Sequence, residues 1–335
     1  MLFEIKNLTK LYGDRSVLEI SSLVFEKKAI YALLGPNGSG KTTLLEILSL
    51  LDPPTTGYIK YDGRVIDFRA NDLTRLRKEI VMVQQSPVLF TTTVFKNLEF
   101  GLKIRGISKI ERDKIIDASL DLVGMREFVN APAHKLSGGE TQRIAIAQAL
   151  ACSPKVMFFD EPTANVDMES QIAVERIMLE INSEKKISVI FTTHNLTQAS
   201  RLSHRWISLF EGKISRTVFE NIFGGNVVQD EEGRKICLIQ NRVRIPVDTD
   251  KSGKVRLSID PFQIKLQRMP ATHYHGVGLK GILVQLTDEK HHVRIVCDIG
   301  IPLNILLPKE ELSEKILHVG EEVDVLFSTE AIRIL

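Results

Sequence analysis

Residues 29–42 read Ala-Ile-Tyr-Ala-Leu-Leu-Gly-Pro-Asn-Gly-Ser-Gly-Lys-Thr. An apolar run ends at a glycine-rich loop, and Gly35–Thr42 matches G-x-x-x-x-G-K-[ST]. Gly38 and Gly40 let backbone N–H groups turn inward around phosphate oxygens. A helix starting near Lys41 adds its N-terminal dipole at the same spot. Lys41 is then expected to reach the β- and γ-phosphates of a nucleoside triphosphate, and the Thr42 hydroxyl to ligate Mg²⁺. Gly35, Pro36, Asn37, Ser39 and Thr43 complete the cradle. A glycine turn with a chance lysine would share the letters, but the strand before it and the helix after it supply the context that the motif requires.

Working outward, strand-like and helix-like segments alternate over about the first 210 residues. Lys41–Leu51 carries Leu44, Leu45, Leu48 and Leu51 at helical spacing and stops at Asp52-Pro53-Pro54. Val156–Phe159 and Val189–Phe191 are buried-strand runs, separated by helical stretches such as Ile144–Leu150 and Ile172–Ile181. That order predicts a mostly parallel sheet with flanking helices. Helix-like pieces around Asn97–Ile104 and Ile110–Val123 interrupt it. Beyond Glu211-Gly212 the pattern turns to short β-like segments, with Val293, Ile295 and Cys297 alternating along one and Val323, Val325 and Phe327 along another. No tandem repeat is visible. The expected division is an α/β nucleotide-binding domain over 1–225 with a helical subdomain at about 87–150, a linker over 226–240, and an all-β barrel domain over 241–335.

Bulk composition narrows the function. A length of 335 residues suggests two domains, and a net charge of +2 gives no case for nucleic acid. Cys152, Cys237 and Cys297 are widely spaced, which argues against a disulfide framework or zinc site and for a reducing compartment. No apolar run reaches the roughly 18 residues that a membrane helix needs, and Met1–Lys6 lacks a signal-peptide layout. The expected location is the cytoplasmic face of the cell membrane, reached through a partner.

Further chemistry lies downstream. Val156–Phe159 delivers Asp160 and Glu161 at a strand tip. Asp160 is expected to hold Mg²⁺ through water, and Glu161, one residue further out, to polarise the attacking water. His194 follows the next strand, where parallel sheets bind ligands. It is placed to meet the γ-phosphate and Glu161. Leu136-Ser137-Gly138-Gly139-Glu140 is a second anion-binding turn opening onto a helix. Gln85, beside Gln84, follows another strand.

These pieces, in this order, resemble the ATP-binding-cassette family over about residues 1–220. Gly35–Thr42 matches its Walker A motif, Leu136–Glu140 its signature, and Phe158–Glu161 its Walker B. Ala164-Asn165-Val166-Asp167 matches its D-loop, Gln85 its Q-loop, and His194 its switch histidine. Tyr12 fits the aromatic that stacks on adenine. The resemblance implies ATP and Mg²⁺ as cofactors, with Thr42, Gln85 and Asp160 around the metal. It also implies a head-to-tail dimer in which Ser137, Gly138, Gly139 and Glu140 of one copy close over the nucleotide of the other. Val88, Leu89, Phe90 and Phe95 fall where the family receives a membrane permease.

The tail resembles the oxyanion-binding barrels that end many importer cassettes, which implies uptake fed by an extracytoplasmic binding protein. Within importers the chain looks like the ATPase of tungstate systems, then of molybdate. Sulfate, ferric iron or polyamine importers, and a non-transport cassette, are the alternatives. The barrel departs from molybdate-binding relatives at Tyr274-His275-Gly276-Val277 and at Glu311. A carboxylate facing a divalent oxyanion is repulsive, while His273 and His275 offer donors.

Overall fold

The structure, a computed structural model, describes the chain except residues 70–72, 165, 204, 216–219, 231, 269–275, 290, 291, 314–316 and 335, and gives no side chains for 268, 312 and 313. It divides into two compact units, Met1–Ser215 and Arg216–Leu335.

The first unit is built on a six-stranded sheet. Its order is Lys213–Ser215, Arg205–Phe210, Ile30–Leu34, Ser188–Thr193, Val156–Phe159, Ile80–Val83. All neighbours are parallel except the first hairpin, which turns at Glu211-Gly212. The register pairs Val83 with Phe159, Phe159 with Phe191, and Leu34 with Thr193. The residues that follow these strands therefore emerge at one sheet edge, where such sheets gather ligands. Val156–Phe159 is wholly buried, as an apolar strand covered on both faces should be.

A second, antiparallel sheet of Arg15–Phe25, Phe3–Tyr12, Thr56–Tyr61 and Arg64–Val65 packs into the same core. The strand–helix alternation gave no sign of it. Its outer positions are polar, as in a sheet with one solvated face, so each strand reads weakly alone. Helices Val94–Ile104, Lys109–Leu122 and Gly138–Ala151 pack on one another. They begin at side-chain caps on Thr93, Ser108 and Ser137.

The second unit consists of two five-stranded antiparallel sheets around one apolar core. Its halves follow the same plan, which corrects the expectation of no repeat. Asn221–Gln229, Lys235–Ile239, Val243–Pro246 and Gly253–Ile259 lead through a 3₁₀ turn, Pro261–Gln263, to Lys265–Arg268. Val277–Asp288, His292–Asp298, Pro302–Pro308 and Glu322–Phe327 lead through Thr329–Ala331 to Ile332–Ile334. In each half the first strand is central and the last strand is exchanged. Ile332–Ile334 pairs with Gly253–Ile259, and Lys265–Arg268 pairs with Glu322–Phe327. Even a packing detail recurs: a Cβ at Gly225 would overlap the Cys237 thiol, and one at Gly281 the Cys297 thiol. Residues 226–240 thus contain strand pairing rather than a linker, and the unit boundary lies between Ser215 and Arg216.

Candidate functional site

The loop after Ile30–Leu34 takes its shape from its glycines and from Lys41. Gly38 and Gly40 have φ of +79° and +98°, in the left-handed region that glycine enters without strain. A Cβ at Gly40 would also press on Leu18 Cδ2 at 2.7 Å. Lys41 Nζ donates back to the carbonyls of Gly35 at 2.8 Å and Pro36 at 3.1 Å. Burial pushes its pKa down, with Glu161 and Asp160 opposing that shift. Ser39 Oγ is buried without a hydrogen-bond partner. An orphaned hydroxyl, two glycines in the left-handed region and an ammonium resting on its own loop carbonyls fit a phosphate chain.

Thr42 Oγ1 donates to Asp160 Oδ2 at 2.9 Å. Thr192, on the neighbouring strand, donates to Asp160 Oδ1 at 2.7 Å and accepts from the Glu161 amide at 2.8 Å. Among the described residues no three His, Cys, Asp or Glu side chains converge. One hydroxyl and one carboxylate suit Mg²⁺, which keeps most of its waters and shares its remaining positions with phosphate oxygens.

Glu161 has φ of +40°, an uncommon conformation for a non-glycine residue and one that clusters at functional sites. Its carboxylate lies 3.7 Å from Lys41 Nζ and 3.5 Å from His194 Nδ1. Asn37, Gln85, Glu161, Thr163, Thr193 and His194 help to line one cavity at this edge. Gln85 lines it, and Gln84 is not among its walls.

Tyr12 is half exposed at the end of Phe3–Tyr12, and its hydroxyl donates to Asp52 Oδ2 at 2.5 Å. That hydrogen bond is the main reason its pKa rises to about 12. Lys10 Nζ pairs with the same carboxylate at 2.6 Å and lies 4.9 Å from the Tyr12 ring centroid. The ring is thereby fixed with its phenol neutral. Asp52 and Lys10 carry no motif, and only the Asp52-Pro53-Pro54 helix stop marked the place.

Ser137 and Glu140 form a capping box: Glu140 N donates to Ser137 Oγ at 3.3 Å, and Ser137 N to Glu140 Oε2 at 2.7 Å. A Cβ at Gly139 would overlap Ser170 Oγ, which donates to Asp167 at 2.8 Å. Gly139 therefore seats this turn against the helix Met168–Ser183, which Asp167 caps. The turn stands apart from the chain's own cavity walls. Asn165 lies outside the described residues, as do His273, Tyr274 and His275. Glu311 is exposed on the short helix Lys309–Ser313. Val88 and Phe90 are exposed, and Phe90 packs on Phe100 with ring centroids 5.0 Å apart.

Comparison with known proteins agrees with this geometry. The family model for ABC transporters matches residues 18–164. The tungstate uptake system ATP-binding protein TupC of Peptoclostridium acidaminophilum is 38% identical over 214 residues, covering 64% of this chain and 97% of that protein. The phosphate import ATP-binding protein PstB of Saccharolobus solfataricus is 35% identical, covering 63% and 86%. The Fe(3+) ions import ATP-binding protein FbpC of Pasteurella multocida is also 35% identical, covering 63% and 59%. Among solved structures, the ATP-binding cassette MJ0796, dimeric and bound to ADP and Pi, superposes with a TM-score of 0.59 at 31% identity, covering 64% of this chain and 97% of that one. The chain cbiO1 of Clostridium perfringens gives 0.61 at 28% identity, covering 64% and 86%.

Proposed function

The chain belongs to the family of ABC transporter ATP-binding subunits of import systems, and from that premise we propose that it drives uptake of tungstate or molybdate. The observation that carries the choice of cargo is the 38% identity to a tungstate uptake ATPase along nearly that protein's whole length. Two copies work head to tail beneath a membrane permease, at the cytoplasmic face, and an extracytoplasmic binding protein delivers the ion. Among the described residues no helix is long and apolar enough to cross a membrane. Val88 and Phe90, both exposed, are the surface offered to the permease.

Tyr12 stacks on adenine, and the amides of Gly38–Thr42 with Lys41 hold the phosphates. Thr42, Asp160 and Gln85 hold Mg²⁺, which neutralises phosphate charge when bound. Glu161 orients and deprotonates the attacking water, and His194 supports it from the other carboxylate oxygen. Lys41 and the loop amides stabilise charge that develops on the transferred group. Ser137, Gly138, Gly139 and Glu140 close over the nucleotide of the second copy. Being rigidly capped, that turn presents its amides without reorganisation. The second unit is a regulatory domain of the oxyanion-binding type, and occupancy there slows the cycle by favouring separated cassettes.

The test is ATPase activity of the transporter reconstituted with its binding protein, titrated with tungstate, molybdate, sulfate and ferric iron. Stimulation at the lowest concentration by tungstate or molybdate supports this reading. Stimulation by sulfate or iron alone replaces the cargo, and stimulation by none removes the importer assignment.

A further inference from the structure

In the wall of the same cavity, a buried polar tie joins three stretches of chain. Glu175 lies on Met168–Ser183 beside Val174, Ile177 and Met178 and is only 6% exposed. Its Oε1 accepts from Gln198 Nε2 at 3.1 Å and from Arg201 Nη2 at 2.6 Å. Gln198, also 6% exposed, uses the same nitrogen to donate to Thr163 Oγ1 at 2.6 Å. Its backbone amide donates to Asn195 Oδ1 at 3.1 Å, which caps the helix Leu196–Leu202. Gln198 therefore connects the segment just past Glu161, the residue next to His194, and the helix that Asp167 opens.

The arrangement bears on His194. That side chain is 65% exposed and meets Glu161 Oε2 at 3.5 Å, so packing does little to place it. Its position is inherited from the start of a seven-residue helix, too short to be rigid by itself. An apolar side chain at position 175 would fill the space without the desolvation cost of a carboxylate. What the carboxylate adds is direction, since it orients the Gln198 amide and pins the helix through two donors.

We propose that Gln198, held by Glu175 and Arg201, is a positioning residue that sets His194 against Glu161 for γ-phosphate cleavage. The inference rests on the assignment of Glu161 and His194 above. Removing the tie lets His194 drift while the phosphate cradle, formed by other elements, stays intact. ATP binding should then survive and turnover should not.

The experiment is steady-state ATPase of the full chain, with thermal midpoints measured alongside. The variants are Gln198→Ala, Glu175→Gln and His194→Ala, and Gln198→Ala combined with His194→Ala. Gln198→Ala is expected to lower kcat about 10- to 100-fold, the scale of a small misplacement, with KM for ATP and the thermal midpoint nearly unchanged. Glu175→Gln keeps an acceptor oxygen for Gln198 and should retain most of kcat. In the His194→Ala background, Gln198→Ala should cost nothing further, because its route is already gone. Parental kcat in Gln198→Ala overturns the proposal, and so does an additive loss in the double variant. If His194→Ala itself turns over at the parental rate, the pairing of His194 with Glu161 fails and this route fails with it. If His194→Ala is slow and Gln198→Ala is not, only the positioning role fails.

Discussion

The two units use buried charge in opposite ways. In Met1–Ser215, buried Lys41 and Asp160 are bonded to loop carbonyls and hydroxyls, and buried Glu175 accepts from the Gln198 amide and from Arg201. In the second unit, Arg294 bonds Glu220 at 2.7 Å and Glu289 at 2.8 Å, Glu289 meets His292 at 2.6 Å, and the core around them is apolar. In the first unit Glu161, beside Lys41, and Glu175 line a cavity, whereas the second arrangement closes on itself. Buried charge that opens on space can do chemistry; buried charge that is mutually neutralised specifies packing.

Substitutions can break that contrast. Glu161→Gln should lower kcat about a thousandfold while ATP binding persists, read by steady-state turnover beside equilibrium nucleotide binding. Parental turnover would remove Glu161 as the base and, with it, the distinction between the units. Arg294→Ala leaves Glu220 and Glu289 without their shared cation. It should cost roughly 3 kcal/mol in denaturant unfolding of the second unit, with little change in basal ATPase. Gly281→Ala drives a methyl group into the Cys297 thiol and Ile299 Cγ2, the latter 2.9 Å away, and should cost about 2 kcal/mol. Adding Cys297→Ala should restore part of that stability, since the overlapping atom is gone.

The comparison sharpens further through pH. Burial, aided by Asp298, raises the Cys297 pKa from 9.0 to about 12. Below 9 the folded and unfolded chains both keep the proton, and no pH dependence arises from this group. Between 9 and 12 the unfolded chain releases a proton that the folded chain retains, so stability falls as pH rises. Thermal midpoints of the second unit should drop as pH rises through that window, and Cys297→Ala should flatten the slope. An equal drop in the Cys297→Ala variant would assign the alkaline loss to other groups.

Legibility followed the range of the interactions. Gly35–Thr42, Asp160-Glu161 and Ser137–Glu140 could be read because each packs its chemistry into a few consecutive residues with obligatory backbone shapes. The antiparallel sheet in the first unit escaped, because Phe3–Tyr12 and Thr56–Tyr61 gain their meaning only when paired. The duplication in the second unit escaped for a related reason. Its halves share inward positions such as Val255, Leu257 and Ile259 with Val323, Val325 and Phe327, and share few letters elsewhere. The partners of Tyr12 and Gln198 were equally hidden, although an acid at position 175 among Val174, Ile177, Met178 and Ile181 was a signal that an apolar helix face carried an unexplained charge.

By itself the sequence determined a phosphate-binding loop after a buried strand, the acids and histidine that follow neighbouring strands, and an all-β tail. Local spacing and backbone stereochemistry suffice for each of these. Only the tertiary structure decided that the tail is two halves exchanging their last strands, and that Asp52 and Lys10 hold Tyr12. It alone brought Thr163, Glu175 and Gln198 together in the cavity wall. Those contacts join residues far apart in the chain, and their partners are chosen by strand register and helix packing, which no short stretch of sequence encodes.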